Sequence, residues 1–380
     1  MKILIVSPKF HPVIGGGETY VLNSIKRLHD AGQDVSIAVE PHPQRNLKGY
    51  PYPVYELEGL SDARMDIIAA TAKLYKLIEQ VKPDIIHVHG YFGLLVTGFG
   101  NPTNIPIVLS VHSTPVWGER IVGGMDSFEA ELNFARGTLA VGRPRLVTAA
   151  NSVYAEAAEK IVDGKFEVAV LPYPVDADYF YKKDGSALRQ QWGLTSDDVL
   201  LTIPSRIIER KGIKEAIFAL TELPEHFHLC VSGAVTPLDP VYWQSIQESP
   251  EYKAVQDRVI VPKQPFLYDD MPALYGATDI VVMPSYYEGA PVATVEAMAS
   301  GKPFVGADSQ GINSFIRNEE NGLLVPQKTV KELAQAIQRV ANDPALGVKM
   351  AGQARKDIPY LSWDAQLPVL IDTYKRVLAA

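Results

Sequence analysis

A chain of 380 residues is too long for one hydrophobic core and suits two domains. Hydrophobic residues make up 47% and charged residues 21%, as in an ordinary soluble globular protein; the formal charge is −8 and neither half is basic, which disfavours nucleic acid and docking on anionic lipid through a basic face. The lone cysteine, Cys230, excludes an intrachain disulfide and reads as a small core residue. No cluster has metal-ligand spacing, no apolar stretch reaches spanning length, and the N-terminus runs straight into a strand without a signal peptide. The expectation is a cytoplasmic protein with no stable membrane insertion and no nucleic-acid partner.

Lys2-Ile3-Leu4-Ile5-Val6 is a nearly continuous apolar run, the pattern of a parallel strand covered on both faces. A loop with two prolines leads to Gly15-Gly16-Gly17-Glu18, after which Tyr20, Val21, Ile25 and Leu28 recur at helical spacing until Gly32. Strand, glycine-rich loop and helix can cradle a phosphate, because glycine lets the backbone approach and a helix start offers free N–H groups. A mere turn is the alternative. Residues 34–39 form a second predicted strand, 41–53 a polar, proline-rich loop, and 66–81 a helix. The next strand carries His87 and His89 on one face. Either can be a core histidine, and His89, nearer the C-terminal end, is the better site candidate. Residues 107–111 form a strand that ends in His112. Residues 117–133 are polar with aromatics and include Trp117, Glu119, Asp126, Glu129 and Glu131. They suit an acceptor-binding side or a solvated charged helix. A strand end over 146–152 followed by a helix, and a last strand over 167–171, complete this half, and a link between domains is placed at about 172–190.

In the second half, residues 199–204 form a strand followed by Ser205-Arg206-Ile207-Ile208-Glu209-Arg210-Lys211-Gly212. Strands over 228–232 and 257–261 follow, the latter leading to Gln264-Pro265-Phe266-Leu267. Residues 279–283 form a strand and 284–290 a turn-rich loop. Pro291 suits a first helical position, and the helix over 292–300 closes on Gly301. Glu288 therefore sits at a strand's C-terminal end and Glu296 in the next helix, so the pair brackets a helix N-terminus. Ligands of open parallel sheets bind outside the C-terminal strand ends. A helix N-terminus there suits phosphate. Two carboxylates would repel phosphate, so they are read as acceptors for hydroxyls. Phosphate flanked by hydroxyls describes a nucleotide sugar. A solvated loop glutamate and a salt-bridged helix glutamate remain the alternative. Further strands over 303–306 and 321–325 precede helices over 329–342, 344–357 and 363–380.

The segment over 283–303, with Pro284-Ser285, Glu288-Gly289 and Glu296-Ala297-Met298-Ala299-x-Gly301-x-Pro303, resembles the E-x7-E segment of the retaining glycosyltransferases of family 4, which have the GT-B fold. Asp84-x-x-His87-x-His89, His112-Ser113, Arg206-x-x-x-x-Lys211-Gly212, Pro272-x-Leu274-Tyr275-x-x-x-Asp279 and Asn321-Gly322-Leu323-Leu324-Val325 resemble other segments of that family, in order along the chain. The resemblance implies an α/β protein of two Rossmann-like, doubly wound domains facing a central cleft. Residues 1–178 plus 365–380 would be the acceptor-side domain with a C-terminal crossover helix, and 179–364 the nucleotide-sugar-binding domain.

The resemblance also assigns residues. Gly16 and Gly17 would meet the donor phosphate and His112 the donor sugar. Arg206 and Lys211 would stabilise the leaving diphosphate, since fixed cations aimed at developing charge lower the barrier. Glu288 would hold sugar hydroxyls and Glu296 the ribose hydroxyls. Phe266, Leu267, Gly289, Ala290, Pro291, Val292 and Gly311 would complete the donor site. Glu18, His89, Trp117 and Glu119 would lie on the acceptor side. Arg210 is expected to face solvent. Three departures stand out: Tyr173-Pro174 for Asn-Gly, Ser205 for Gly, and Ser314 for Glu.

The implied reaction moves a hexose-type sugar from a nucleotide-diphosphate sugar to an acceptor hydroxyl, with no cofactor or metal. A UDP-sugar is favoured because Pro291 stands where many GDP-mannose-using relatives carry Gly. A polar sugar-like or cyclitol acceptor is favoured over a lipid-linked one. A sugar-nucleotide 2-epimerase on the same fold and a non-catalytic nucleotide-sugar-binding protein are the rivals.

Overall fold

The computed structural model describes residues 1–13, 15–60, 67–101, 103–112, 125–233, 240–289 and 291–380, with the side chains of 125–128 left undescribed. By internal contact the chain divides into two units, Met1–Pro174 with Asp364–Ala380, and Val175–Trp363.

The first unit holds strands β1 (Lys2–Ser7), β2 (Asp34–Val39), β3 (Val54–Glu56), β4 (Ile85–His89), β5 (Ile107–Val111), β6 (Leu146–Ala149) and β7 (Glu167–Val170). They form one parallel sheet in the order β3-β2-β1-β4-β5-β6-β7. Ile3, Leu4, Ile5 and Val6 are all fully buried, which is why β1 reads as an unbroken apolar run in the middle of the sheet. Edge strand β3 lies just past the expected proline-rich loop. Three residues after two prolines leave no period to detect. The helix Trp363–Ala379 supplies Tyr374 to this unit, fully buried, and Arg145 donates to the Val377 carbonyl at 3.0 Å.

The second unit holds β8 (Val199–Ile203), β9 (Phe227–Val231), β10 (Val259–Ile260), β11 (Ile280–Met283), β12 (Phe304–Ala307) and β13 (Leu323–Val325), parallel in the order β10-β9-β8-β11-β12-β13. Strand β10 is shorter than the expected 257–261, because Gln256–Arg258 turns as a 3₁₀ helix. Cys230 is fully buried on β9, and burial pushes its thiol up to about 12, the state of an inert core residue.

Chain order reverses direction beside β1 and β4 in one sheet, and beside β8 and β11 in the other. Loops leaving neighbouring strands at such a point run to opposite faces and leave an opening at the C-terminal ends. Those two openings are where the chemistry-bearing residues collect.

Candidate active site

In the second unit, two loops leave the opening between β8 and β11. They are held face to face. Gly212 has φ +66°, and a Cβ there would fall 2.1 Å from the Pro284 carbonyl oxygen. The Tyr286 N–H donates to the Arg210 carbonyl at 2.8 Å. This contact brings Lys211 Nζ to 2.5 Å and Arg210 Nη1 to 3.3 Å of the two Glu288 carboxylate oxygens. Arg210 also lies over the Tyr287 ring, with Cζ 5.2 Å from the centroid. The expectation that Arg210 faces solvent is thus corrected: its aromatic neighbour and a carboxylate on the facing loop draw it inward.

Glu288 is only 5% exposed. Burial alone would raise its carboxyl, but Lys211, Arg210 and hydrogen bonds from Lys211 and Ser285 outweigh it and hold it below the usual carboxylate range. Lys211 is pulled below its ordinary value by burial, with Glu288 opposing. Arg206 is exposed and makes no ion pair among the described residues. The loop after β8 carries three cations, Arg206, Arg210 and Lys211, of which Arg210 and Lys211 reach the Glu288 carboxylate. A third segment fixes that carboxylate from the other side. The Glu288 N–H donates to the Gln310 carbonyl at 2.8 Å, and Gly311, at φ +89°, would drive a Cβ to 2.2 Å from the Glu288 carbonyl oxygen. Ser314 is exposed, and the buried Ser309 hydroxyl has no partner among the described residues.

Glu296 lies in the helix Val292–Ser300 and is 7% exposed. Tyr275 donates to its Oε2 at 3.1 Å. Burial pushes the carboxyl up to about 7, with the Tyr275 hydrogen bond acting in the opposite direction. Pro291 is the residue before the helix, at ψ 84°, and not its first helical residue as expected. Gly289, Pro291 and Val292 line the approach to that helix start, while Ala290 lies outside the described residues. Phe266 packs at 6.3 Å against Trp192, within the cluster of Leu200, Cys230, Leu274 and Ala277. Leu267 is 45% exposed, and its N–H is taken by Asp270 at 3.1 Å.

In the first unit, the opening between β1 and β4 gathers histidines and tyrosines. His87 is fully satisfied: Nδ1 lies 2.6 Å from the Tyr374 hydroxyl and Nε2 lies 2.8 Å from Ser110 Oγ, which in turn pairs with Thr148 at 2.7 Å. Thr148 also reaches the Leu109 carbonyl, so the row can run from Tyr374 through His87, Ser110 and Thr148, each group donating to the next. His87 is a core histidine. His89, two residues on, pairs through Nδ1 with His112 Nε2 at 2.8 Å, and His112 Nδ1 pairs with the Tyr173 hydroxyl. His89 Nε2 has no partner among the described residues. Burial lowers all three rings, His87 to about 3 and His112 to about 4, so each is neutral at pH 7.

Gly17 brings the helix Gly16–Asp30 against this group: a Cβ on it would stand 3.2 Å from His112 Cγ. Gly16 is exposed at the same helix start. Glu18 is half-buried and folds against Gly15, where a Cβ would meet its Oε2 at 2.2 Å. Trp117 and Glu119 lie outside the described residues, and Glu129 and Glu131 are exposed. Among the described residues no group of three or more His, Cys, Asp or Glu is placed to hold a metal ion, and no helix is long and apolar enough to cross a membrane. Sequence reasoning gave no site role to Arg210, Tyr275 or Tyr173. Tyr275 carried a signal as part of a resembled segment, and Tyr173 as a departure from the resembled pattern.

Residues 184–357 match the family described as Glycosyl transferases group 1, and residues 14–179 match Glycosyltransferase Family 4. An uncharacterized glycosyltransferase of Methanocaldococcus jannaschii is 24% identical over 99% of this chain and 98% of its own. A D-inositol 3-phosphate glycosyltransferase of Xylanimonas cellulosilytica is 25% identical over 95% of this chain and 91% of its own. The structure of HepE from Anabaena in complex with UDP and glucose superposes with a TM-score of 0.82, at 21% identity over 99% of this chain and 100% of that one. Likeness at that identity shows the fold, which is that of the GT-B glycosyltransferases.

Proposed function

Because the chain is a glycosyltransferase with a Glycosyltransferase Family 4 domain followed by a Glycosyl transferases group 1 domain, we propose that it moves a hexose from a UDP-sugar to a hydroxyl with retention at the anomeric carbon. One observation carries this reading: a buried carboxylate, Glu288, is held between Lys211 and Arg210 at a strand-order reversal, with Arg206 exposed on the same loop. The two kinds of group serve opposite ends of one bond. As the glycosidic bond breaks, negative charge grows on the diphosphate, and Arg206, Lys211 and Arg210 stabilise it. Glu288 accepts from sugar hydroxyls and orients the ring. Glu296 accepts from the ribose hydroxyls. Fixed cations supply the charge that a divalent ion would otherwise supply, so the reaction proceeds without added metal. Retention is read from the resembled family, in which front-face attack needs no enzyme nucleophile.

The acceptor we infer is a polar polyol, a sugar or cyclitol, in keeping with the name of the Xylanimonas cellulosilytica relative, a D-inositol 3-phosphate glycosyltransferase. A lipid-linked acceptor is the second reading. The test incubates the protein with UDP-glucose or GDP-mannose and myo-inositol or its 3-phosphate, in EDTA, and follows nucleotide release and product anomer by NMR. UDP release stimulated by the polyol, with an α-linked product, is expected. Arg206→Ala should slow it by about a hundredfold, the scale of one lost transition-state charge partner. Epimerised donor without transfer, donor binding without turnover, or turnover of GDP-mannose alone would overturn the reading as stated.

A further inference from the structure

Tyr173, His112 and His89 form a hydrogen-bonded row that ends on a buried nitrogen with no partner among the described residues. Tyr173 stands in the segment after β7, where the resembled family carries Asn. Its ring stacks on Tyr20 at 4.7 Å, and Tyr20 presents itself edge-on to both His89 and His112 at 6.0 Å. The His89 and His112 rings are themselves nearly parallel, 12° apart with centroids at 5.0 Å. Both imidazoles are thus locked in place. His89 is 4% exposed, and its Nε2 has no partner among the described residues.

A neutral imidazole has one N–H donor and one acceptor nitrogen, so bonds along the row must all point one way. The phenol is a stronger acid than an imidazole N–H, and an imidazole nitrogen accepts better than a phenol oxygen. Tyr173 therefore donates to His112 Nδ1. His112 must then carry its proton on Nε2 and donate to His89 Nδ1. His89 in turn carries its proton on Nε2. We propose that Tyr173 is a positioning residue which, through His112, sets His89 as a fixed Nε2–H donor for an oxygen of a sugar substrate. A buried donor without an acceptor is costly, and an arriving hydroxyl oxygen recovers that cost. His87 on the same strand face makes the contrast, since both of its nitrogens are already paired. Only the identity of the ligand as a sugar substrate rests on the glycosyl-transfer reading; the proton arrangement does not.

The experiment is imidazole nitrogen NMR on the full, ligand-free chain with labelled histidine, followed by kinetics. In the unaltered protein, His89 and His112 are expected as Nε2–H tautomers. Tyr173→Phe keeps the stacked ring and removes the donated proton, so His112 should lose its single tautomer, while the fall in melting temperature stays within that of one lost hydrogen bond. With UDP-glucose and myo-inositol, the same variant should raise the Michaelis constant of one of them by about fivefold or more, with a smaller change in kcat. The substrate affected identifies whose oxygen His89 meets. An Nδ1–H tautomer at His89 in the unaltered protein, unchanged spectra in Tyr173→Phe, or unchanged Michaelis constants despite a tautomer change would each overturn the proposal. Absence of any turnover in the unaltered protein would instead count against glycosyl transfer and leave the NMR result to stand alone.

Discussion

Glu288 and Glu296 are eight residues apart and both buried, yet their environments push them in opposite directions. Glu288 has two cations at its oxygens and stays ionised. Glu296 has one tyrosine and, among the described residues, no paired cation, and is raised to about 7. A carboxyl raised on folding binds its proton more tightly in the folded state. Its contribution is therefore fully present below the unfolded value near 4.5 and lost as pH rises through about 7. Glu296→Gln removes that penalty, so the variant should melt higher than the parent at pH 8, by an amount on the order of 3 kcal/mol, with the gap closing toward pH 5. The gain comes at the expense of function. Ribose hydroxyls are held best by the carboxylate, so the donor KM of the parent should fall as pH rises from 6 to 8, and that of the variant should stay high and flat. Calorimetric melting and KM across pH check both halves. A variant no more stable than the parent at pH 8 would mean that the carboxylate finds compensation which the Tyr275 bond alone does not supply.

The loops that carry the site are shaped by glycines at two contacts where backbone meets backbone. Gly212 meets Pro284, and Gly311 meets Glu288. Gly311→Ala combines a left-handed φ with a Cβ 2.2 Å from a carbonyl oxygen that cannot move without carrying Glu288 along. It should cost about 2–4 kcal/mol in urea unfolding and lower kcat/KM by tenfold or more. Normal stability with full activity would show that the turn can shift freely. At this scale the sequence was informative wherever a pattern had length or punctuation. The apolar runs of β1 and β11 and the glycine that closes Val292–Ser300, at φ +70°, were legible. Strand β3 was not, because three residues carry no period. Arg210 was not, because its inward turn depends on Tyr287 and Glu288, about eighty positions away. The sequence favoured His89 over His87 only by its place nearer the strand's C-terminal end. What separates them in the structure is that Tyr374 and Ser110 take both His87 nitrogens, while His89 Nε2 has no partner among the described residues.

At the scale of the whole chain, an excess of eight negative charges must accommodate an anionic donor, so cations have to be concentrated where it binds. Arg206, Arg210 and Lys211 within six residues provide that concentration. A hydrogen bond between residues far apart in the chain has a different role. Tyr374 reaches His87 across 287 positions, and with Arg145 it ties the last helix to the first unit. Tyr374→Phe keeps the volume but leaves His87 Nδ1 without a donor, at a cost of about 1–3 kcal/mol. Tyr374→Ala adds a cavity among fully buried side chains and should cost about 3–5 kcal/mol. Hydrogen exchange resolves where the loss falls. Amides of β1, β4 and β5 should exchange faster in both variants, more so in Tyr374→Ala, while those of β8 and β11 keep their protection. UDP, added to the same samples, should protect the loops after β8 and β11 whether or not Tyr374 is intact. If protection at β8 and β11 falls together with that at β1, the two units unfold as one cooperative body, and the last helix stabilises the whole chain instead of the first unit alone.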